Sequence, residues 1–295
     1  MRKNEKLLIC VCGPTASGKT STAIELAQHF GTEIISADSR QLYREMTIGT
    51  AVPSVNELNV VKHHFIHTHS IHDNYTAGDY AREAGGLIRE LFKKRDVLIL
   101  AGGTGFFVNA LLYGFDEPAA KDAELRNTLN QLYAEGGIDA LHERALAEGA
   151  KMNTLTDPQN PQRVIRAIEK ALLPKTAKDT IGLTGQVNAK GFVLSWPREE
   201  LYARIEQRVD EMMEVGLLEE VEELHPFKRL NALNTVGYSE LLRHLDDELE
   251  LQEAIDLIKR NTRRYAKRQM TWYRNKTAFK EVESPFAESI LKQLS

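Results

Sequence analysis

The sequence Leu7-Leu8-Ile9-Cys10-Val11-Cys12-Gly13-Pro14-Thr15-Ala16-Ser17-Gly18-Lys19-Thr20 carries the strongest structural signal in this chain of 295 residues. It begins with an apolar run that is typical of a strand buried on both faces. The pattern Gly-x-x-x-x-Gly-Lys-Thr follows at once, and an amphipathic helix is predicted over residues 20–30, with Gly31 ending it. A strand, a glycine-rich loop and a helix in this order are typical of a phosphate-binding loop.

The chemistry of this loop favours a di- or triphosphate ligand. Glycines let backbone N–H groups surround a phosphate, the helix N-terminus adds partial positive charge, and Lys19 adds a full charge. A glycine-rich turn without a ligand is the alternative, and the flanking strand and helix disfavour it. The Thr20 hydroxyl is a candidate Mg²⁺ ligand. The predicted diphosphate- or nucleotide-binding residues are Gly13, Pro14, Thr15, Ala16, Ser17, Gly18, Lys19 and Thr20.

The remaining pattern predicts an α/β fold. Short apolar strands over residues 33–37 and 96–101 alternate with helices, as in a parallel sheet that is covered on both sides. The later elements are predicted as helices over 123–135, 138–148 and 161–173, a strand over 191–196, mainly helix to about 276, a strand over 278–283 and a helix over 285–294. We therefore expect a P-loop-type parallel sheet flanked by helices, formed by residues 1–116 and 191–295, with an all-helical insertion domain over residues 117–190.

Composition limits the classes of protein. Hydrophobic residues make up 42% of the chain, and 38 basic against 42 acidic residues give a net charge of −4, which argues against a uniformly basic coat for nucleic acid. No apolar run approaches the ~20 residues that a membrane helix needs. Cys10 and Cys12 lie two apart on a predicted strand, where the geometry is poor for a disulfide. We expect a cytoplasmic protein with reduced thiols and no membrane partner.

Two carboxylates differ in their position relative to the phosphate loop. Asp96 begins its predicted strand, about 16 Å from the edge where the loop lies, whereas Asp38 ends the second strand at that edge. Asp38 is either a turn-capping residue or the acceptor of a proton from an attacking nucleophile. Thr104, in the segment 102–105 that ends the third strand, offers a hydroxyl at the same edge, or belongs to a plain turn.

Positive charge is concentrated in one helix. Residues 259–276 contain eight of the 38 basic residues and none of the 42 acidic ones, with tyrosines and a tryptophan between them. This stripe suits a nucleic-acid backbone, and a solvated face with aromatic residues in the core is the alternative. Arg204 and Arg208 lie one helical turn apart, and either one is a candidate clamp over a bound diphosphate; pairing with Glu200 or Glu211 is the alternative.

Several segments together resemble the bacterial tRNA dimethylallyltransferase family, also called tRNA isopentenyltransferase. They occur in family order across nearly the whole chain. The matching segments are 13–20 (GPTASGKT), 36–43 (SADSRQLY), 48–51 (IGTA), 63–65 (HHF), 102–104 (GGT), 161–163 (PQR), 204–208 (RIEQR), 236–238 (VGY) and 267–274 (KRQMTWYR).

The resemblance implies a reaction. The family transfers a dimethylallyl group from dimethylallyl diphosphate to the exocyclic amine of the adenosine 3′ of the anticodon in tRNA, and releases diphosphate. It implies a phosphate loop that grips the diphosphate with Mg²⁺, Asp38 as the base, and Lys19, Thr104 and Arg208 as further catalytic residues. The implied tRNA-binding residues are Asp38, Ser39, Arg40, Gln41, Thr104, Arg126, Gln162, Arg163, Arg166, Gly237, Tyr238, Lys267, Arg268, Gln269, Trp272 and Arg274. The anticodon stem-loop is the expected partner, and the enzyme is expected to be a monomer.

Three other functions compete with this one. A small-molecule kinase would use the phosphate loop for ATP, but it would leave the helical insertion and the basic helix unexplained. An adenylate isopentenyltransferase would share the chemistry without a surface for tRNA. A nucleotide-gated RNA-binding protein would not need Asp38. The prenylated product, tested with tRNA and with free AMP, separates these functions.

Overall fold

The computed structural model describes residues 6–114, 122–155, 157–173, 182–183 and 185–294. In this part of the chain six strands form one parallel sheet, in the order β3-β2-β4-β1-β5-β6. The strands are β1 Leu7–Cys12, β2 Ile34–Ser36, β3 His63–His64, β4 Val97–Gly102, β5 Asn188–Leu194 and β6 Lys280–Val282. The α/β class and the parallel sheet predicted from the sequence are confirmed.

The described residues also form α-helices. They are α1 Lys19–Phe30, α2 Val55–Val60, α3 Ala77–Leu91, α4 Gly105–Tyr113, α5 Ala123–Ala147, α6 Pro161–Leu172, α7 Arg198–Glu214, α8 Leu217–Leu224, α9 Tyr238–Leu245, α10 Leu251–Lys276 and α11 Phe286–Leu294. None of the helices in the described residues is long and apolar enough to cross a membrane.

The central strand β1 is buried on both faces, as its apolar sequence predicts. Leu7, Ile9 and Val11 belong to a core cluster that also contains apolar residues of α1 and α11. Side chains alternate along a strand, so Leu8 and Cys10 face the opposite layer, and both are fully buried. The two cysteines are free thiols, and burial raises the pKa of both.

The register brings three strand ends to one edge of the sheet. Cys12 at the end of β1 lies beside Gly102 of β4, and Ser36 at the end of β2 lies beside Ala101 of β4. The phosphate loop, the segment that begins with Asp38 and the loop after β4 therefore leave the sheet together. Parallel α/β sheets bind their ligands beyond such strand ends.

Two predicted elements differ from the structure. The strand β3 was not predicted, because its two residues lack an apolar run; they pair with β2 through Ile34 and Ile35. The strand β5 begins at Asn188, earlier than predicted, because Asn188 to Lys190 are exposed or polar and yet pair with β1. The predicted break between two helices near residue 137 is present within α5, where Gly137 has φ 68° and ψ −160°.

Contacts divide the chain into two compact units: Met1–Gly114 with Gly182–Ser295, and Phe115–Ile181. The larger unit contains the sheet. It also includes residues 182–190, which the sequence analysis assigned to the insertion; Leu183 donates its N–H to the Leu111 carbonyl at 2.7 Å, and β5 pairs with β1. The smaller unit has its own core, in which Leu129 and Leu141 of α5 pack with Ile165 and Ile168 of α6.

Candidate active site

The phosphate loop is held by hydrogen bonds from side chains that are distant in the sequence. Gly18 has φ 88° and is the N-cap of α1, a conformation that favours glycine. Trp196 Nε1 donates to the Ser17 carbonyl, and Arg204 Nε donates to the Ala16 carbonyl, both at 2.9 Å. The first N–H groups of a helix have no partner within the helix. The first turn of α1 lines a cavity, and these donors are therefore placed for an anion there.

Lys19 brings a full positive charge to this cavity. Its Nζ donates to the Pro14 carbonyl at 2.6 Å. Burial lowers the pKa of Lys19 to about 8; the Asp38 carboxylate opposes this shift and the Arg208 guanidinium adds to it. A cation in these surroundings gains from a bound anion, because the anion replaces lost hydration and offsets the charge of Arg208.

The structure distinguishes Arg204 from Arg208. The Arg204 guanidinium lies 4.6 Å from the centre of the Trp196 ring and holds the phosphate loop, so it is already engaged. Arg208 lines the cavity, and the Glu211 carboxylate attracts its charge. Among the described residues neither Glu200 nor Glu211 forms an ion pair with it within 4.0 Å. Burial lowers the pKa of Arg208. Arg208 is therefore the better placed of the two to bind a diphosphate.

Asp38 uses only part of its carboxylate in the local turn. Its Oδ1 accepts from the backbone N–H groups of Arg40 at 2.9 Å and Gln41 at 3.4 Å, which is the turn-capping role considered in the sequence analysis. The side chain is half-buried and lines the same cavity as the phosphate loop. Since capping occupies Oδ1, Oδ2 is left to accept a proton from a ligand.

Thr104 is tied to the segment that carries Asp38. Its Oγ1 accepts from the Ser39 N–H at 3.0 Å and donates to Ser39 Oγ at 3.2 Å. Tyr265 of α10 lies beside the same groups; burial and the Asp38 carboxylate raise the pKa of Tyr265 to about 12. Thr104 therefore fixes the loop after β4 against the Asp38 segment.

Arg40 and Gln41 stabilise neighbouring loops. The Arg40 guanidinium donates to the carbonyl groups of Asn231 and Asn234 at 3.2 and 3.3 Å. Gln41 Nε2 donates to the Ala51 carbonyl at 2.8 Å. Both side chains also line the cavity, so their contacts define its rim.

The cavity has a volume of about 460 Å³ and three chemically different walls. The phosphate loop, Lys19 and Arg208 form a cationic end. Asp38 and Gln41 provide a polar side. The apolar wall was not predicted, because its residues come from separate segments that share no local pattern: Val52, Pro53, Ile205, Val209, Met212, Leu217 and Ile258.

Glu220 is a structural residue that the sequence analysis missed. Its carboxylate accepts from the backbone N–H groups of residues 47–49 at 2.8 to 3.1 Å and from the Tyr238 hydroxyl at 2.6 Å. A Cβ at Gly49 would come within 2.5 Å of the Tyr238 ring. These contacts fix the segment that leads to the apolar wall. The hydrogen bonds to residues 47–49 join residues more than 170 positions apart, so no local sequence pattern could predict them.

The predicted role of Tyr238 in binding tRNA is not supported by its position. The side chain is fully buried, so it is inaccessible to a macromolecule. Gly237 precedes it with φ 97°, forms the N-cap of α9 and lines the cavity. The segment 236–238 thus shapes the cavity from within the protein.

The basic helix α10 is divided between paired and exposed charges. Three of its cations pair with acidic residues of other elements: Lys259 with Asp210 at 2.5 Å, Arg263 with Glu206 at 2.5 Å and Arg274 with Glu281 at 2.7 Å. Arg264, Lys267 and Arg268 are exposed. The helix therefore has an exposed basic face, defined here as Arg264, Lys267 and Arg268.

The opposite face of α10 packs on the loops of the site. Gln269 is buried; it accepts from the Thr15 N–H and donates to the Gly103 carbonyl, both at 2.9 Å. Trp272 packs against Gly105, where an added Cβ would come within 2.3 Å of the indole ring. Both residues were predicted to contact tRNA, but Gln269 has its amide occupied within the protein.

The smaller unit holds the other predicted tRNA-binding residues. Arg126 makes a two-pronged ion pair with Glu169 at 2.5 and 2.7 Å and approaches Gln162 Oε1 at 3.5 Å. Arg166 donates to the same carboxylate at 3.1 Å. Hydrogen bonds from the two arginines hold the pKa of Glu169 below its usual range despite burial. Arg163 is exposed on α6.

The described residues contain no group of three or more histidine, cysteine or carboxylate side chains that could hold a metal ion by themselves. Thr20 lines the cavity beside Lys19. A hydroxyl at the phosphate end fits Mg²⁺, which is usually held by few protein oxygens together with ligand phosphates and water.

Comparisons with known proteins identify the family. A sequence model of the family described as "IPP transferase" matches residues 41–276. The tRNA dimethylallyltransferase of Flavobacterium johnsoniae is 48% identical over 280 residues, which cover 91% of this chain and 90% of that protein. The enzyme of the same name from Christiangramia forsetii is 45% identical over 282 residues, which cover 94% and 93%.

A solved structure agrees with this result. The crystal structure of a tRNA isopentenylpyrophosphate transferase from Bacillus halodurans matches with a TM-score of 0.72 and 35% identity, over 99% of this chain and 94% of that chain. The parallel sheet, the phosphate loop and the sequence matches are all consistent with the same family. This chain belongs to the IPP transferase family, whose relatives are tRNA dimethylallyltransferases, and it is a prenyltransferase.

Proposed function

We propose that this enzyme transfers a dimethylallyl group from dimethylallyl diphosphate to the exocyclic amine of the adenosine 3′ of the anticodon in tRNA, with release of diphosphate. One observation carries the proposal: a single cavity of about 460 Å³ joins the phosphate loop, the Arg208 guanidinium, the Asp38 carboxylate and an apolar wall. Each of these suits one part of the two substrates.

The cationic end of the cavity suits the diphosphate. The first turn of α1 offers backbone donors, and Lys19 and Arg208 offer charge that is poorly solvated. These groups stabilise the negative charge that grows on the diphosphate as the bond to carbon breaks. Thr20 would hold Mg²⁺ with the diphosphate oxygens, and the ion would neutralise part of the diphosphate charge.

The apolar wall suits the dimethylallyl group. Leu217 and Ile205 are buried, and Val52 and Pro53 complete the wall near the segment that Glu220 fixes. An apolar wall binds a branched five-carbon group and keeps water from the allylic carbon.

Asp38 suits the proton transfer. The adenine amine attacks the allylic carbon, a nitrogen–carbon bond forms, and the bond from that carbon to the diphosphate oxygen breaks. The amine nitrogen loses a proton, and Oδ2 of Asp38 accepts it, while Oδ1 remains held by the backbone of Arg40. Thr104 keeps the Asp38 segment in place through Ser39.

A tRNA stem-loop suits the exposed cations. The basic face of α10 lies on the helix that packs against the site loops, and the smaller unit carries the exposed Arg163. Arg126 and Arg166 of the same unit are partly exposed and share the Glu169 carboxylate. The adenosine would leave its stack to enter the cavity. We also propose that the enzyme acts as a monomer, and a tRNA substrate supports a cytoplasmic location.

The end of β4 argues against ATP hydrolysis. P-loop enzymes that hydrolyse nucleoside triphosphates usually hold Mg²⁺ with an Asp at the end of a second strand, whereas β4 ends at Gly102. A Cβ at that glycine would lie 2.2 Å from the Ala37 carbonyl oxygen, so the position admits no larger residue.

The direct test is product formation. The protein is incubated with Mg²⁺, dimethylallyl diphosphate and undermodified tRNA, and the digested nucleosides are analysed by mass spectrometry. We expect prenylated adenosine from tRNA, and far less product from free AMP. No prenylated adenosine would refute the proposal, equal prenylation of AMP would favour an adenylate isopentenyltransferase, and ATP turnover would favour a kinase.

A further inference from the structure

Gln269 connects the two loops that carry the diphosphate site and the end of β4. Its side chain is 7% exposed. Oε1 accepts from the Thr15 N–H, and Nε2 donates to the Gly103 carbonyl, each at 2.9 Å. The amide oxygen faces a donor and the amide nitrogen faces an acceptor, so only one orientation of the amide satisfies both hydrogen bonds.

The two loops are packed closely around this amide. A Cβ at Gly103 would lie 2.5 Å from Gln269 Nε2, 3.5 Å from the Gly13 carbonyl oxygen and 3.6 Å from Lys19 Nζ. The loop after β4 therefore rests on the phosphate loop, and the amide is a polar link between them.

The link continues to the carboxylate. Thr104 follows Gly103, and its N–H donates to the Ala37 carbonyl at 3.2 Å, while its Oγ1 accepts from the Ser39 N–H at 3.0 Å. Ala37 and Ser39 are the neighbours of Asp38 on either side. A connected series of hydrogen bonds thus runs from the phosphate loop through Gln269 to the segment that carries Asp38.

We propose that Gln269 is a positioning residue for prenyl transfer. It lines the cavity, but both groups of its amide are already paired with the two loops, so it acts by fixing the distance from the phosphate loop to the Asp38 carboxylate and not by hydrogen-bonding tRNA. This inference rests on the proposed function. A displacement of about 1 Å between reacting groups can cost about 100-fold in rate. Loss of the amide should therefore lower kcat, while the groups that bind each substrate remain.

The variant Gln269→Met tests the proposal because it keeps the length of the side chain and removes both hydrogen bonds. We expect kcat for prenylated tRNA to fall by about tenfold to 100-fold. The Kd of dimethylallyl diphosphate, measured without tRNA, and the Kd of an anticodon stem-loop should each change by less than about threefold, since the charged groups stay in place.

Asn261→Met is the matched control. Asn261 lies on the same helix, and its amide donates to Glu240 of α9 at 2.7 Å and not to either of the two loops. Asn261→Met removes one amide hydrogen bond of α10 and Gln269→Met removes two, so both variants should melt below the wild type while only Gln269→Met has a low kcat.

The outcomes are separable. If the wild type forms no prenylated tRNA, the proposed function fails. If the wild type is active and Gln269→Met keeps its kcat, or loses tRNA affinity with kcat intact, the positioning role is refuted. Should the Met variant not fold, Gln269→Glu provides the test: it keeps the acceptor for Thr15 and loses the donor to Gly103, and an unchanged kcat would equally refute the role.

Discussion

The cavity beside the phosphate loop and the exposed basic face of α10 both carry positive charge, in opposite surroundings. In the cavity, burial lowers the pKa of Lys19 and of Arg208. On α10, Arg264, Lys267 and Arg268 are exposed to water. A partly desolvated cation gains much from a bound anion, whereas an exposed cation exchanges water and counterions for a phosphate.

This difference predicts two kinds of mutational effect. Changes in the cavity should act on kcat, because its groups meet the charge that develops in the reaction. Changes on the exposed face should act on tRNA affinity, and their size should depend on salt. The distinction fails if changes in the cavity act mainly on tRNA affinity, or if changes on the exposed face act mainly on kcat.

The largest effect is expected for Asp38→Asn. The amide oxygen can still accept from the Arg40 N–H, so the turn is retained while the proton acceptor is lost. We expect kcat to fall by about 100- to 10,000-fold. Product is measured by mass spectrometry, and the Kd for the stem-loop should stay within about twofold since no basic group changes.

Asp96→Asn is its control. Asp96 is an exposed residue before β4 and pairs with Lys6 at 2.8 Å. It should keep wild-type kcat. Substantial turnover by Asp38→Asn would remove Asp38 as the base and place the proton acceptor elsewhere.

The second effect separates Arg208 from Arg204. Arg208→Gln should lower kcat by about 100-fold, a typical cost of losing one group that stabilises a developing negative charge. Arg204→Gln should lower kcat less and reduce thermal stability, because Arg204 donates to the Ala16 carbonyl and stacks on Trp196. Single-turnover kinetics with melting curves distinguish them, and a larger kcat loss in Arg204→Gln would reverse the assignment.

Local patterns in the sequence predicted the parts of the site that are formed by contiguous residues. The phosphate loop is predicted by β1, the six residues that follow it and α1, and Asp38 shares its edge because parallel strands end together. These are consequences of local signals and of sheet geometry, and the positions of Lys19 and Asp38 around one cavity agree with them.

Residues that depend on distant partners could not be predicted. The choice between Arg204 and Arg208 depends on how α7 lies over the phosphate loop, and Trp196 decides it. Residues 259–276 contain no acidic residue, yet Lys259 and Arg263 have acidic partners in α7, about 50 residues earlier in the chain. Such pairing is visible only once the helices are packed.

The smallest effect tests the exposed face itself. Replacing Lys267 and Arg268 together by Ala should raise the Kd of the stem-loop several-fold, with kcat at saturating tRNA unchanged. If each cation contacts one phosphate, the slope of log affinity against log salt should fall by about 0.7 to 0.9 per residue. Binding is measured by fluorescence anisotropy at salt concentrations from about 50 to about 300 mM, because the screening of exposed charges increases over this range.

The double variant Lys259→Ala with Arg263→Ala removes the same charge from the same helix, and it sharpens this test. These two cations face Asp210 and Glu206, with side chains 21% and 29% exposed, so neither is available to a phosphate. The control should bind with the wild-type salt slope. Equal slopes in the two double variants would mean that tRNA responds to the overall charge of α10, and the distinction between a cavity for chemistry and a face for binding would then lose its second half.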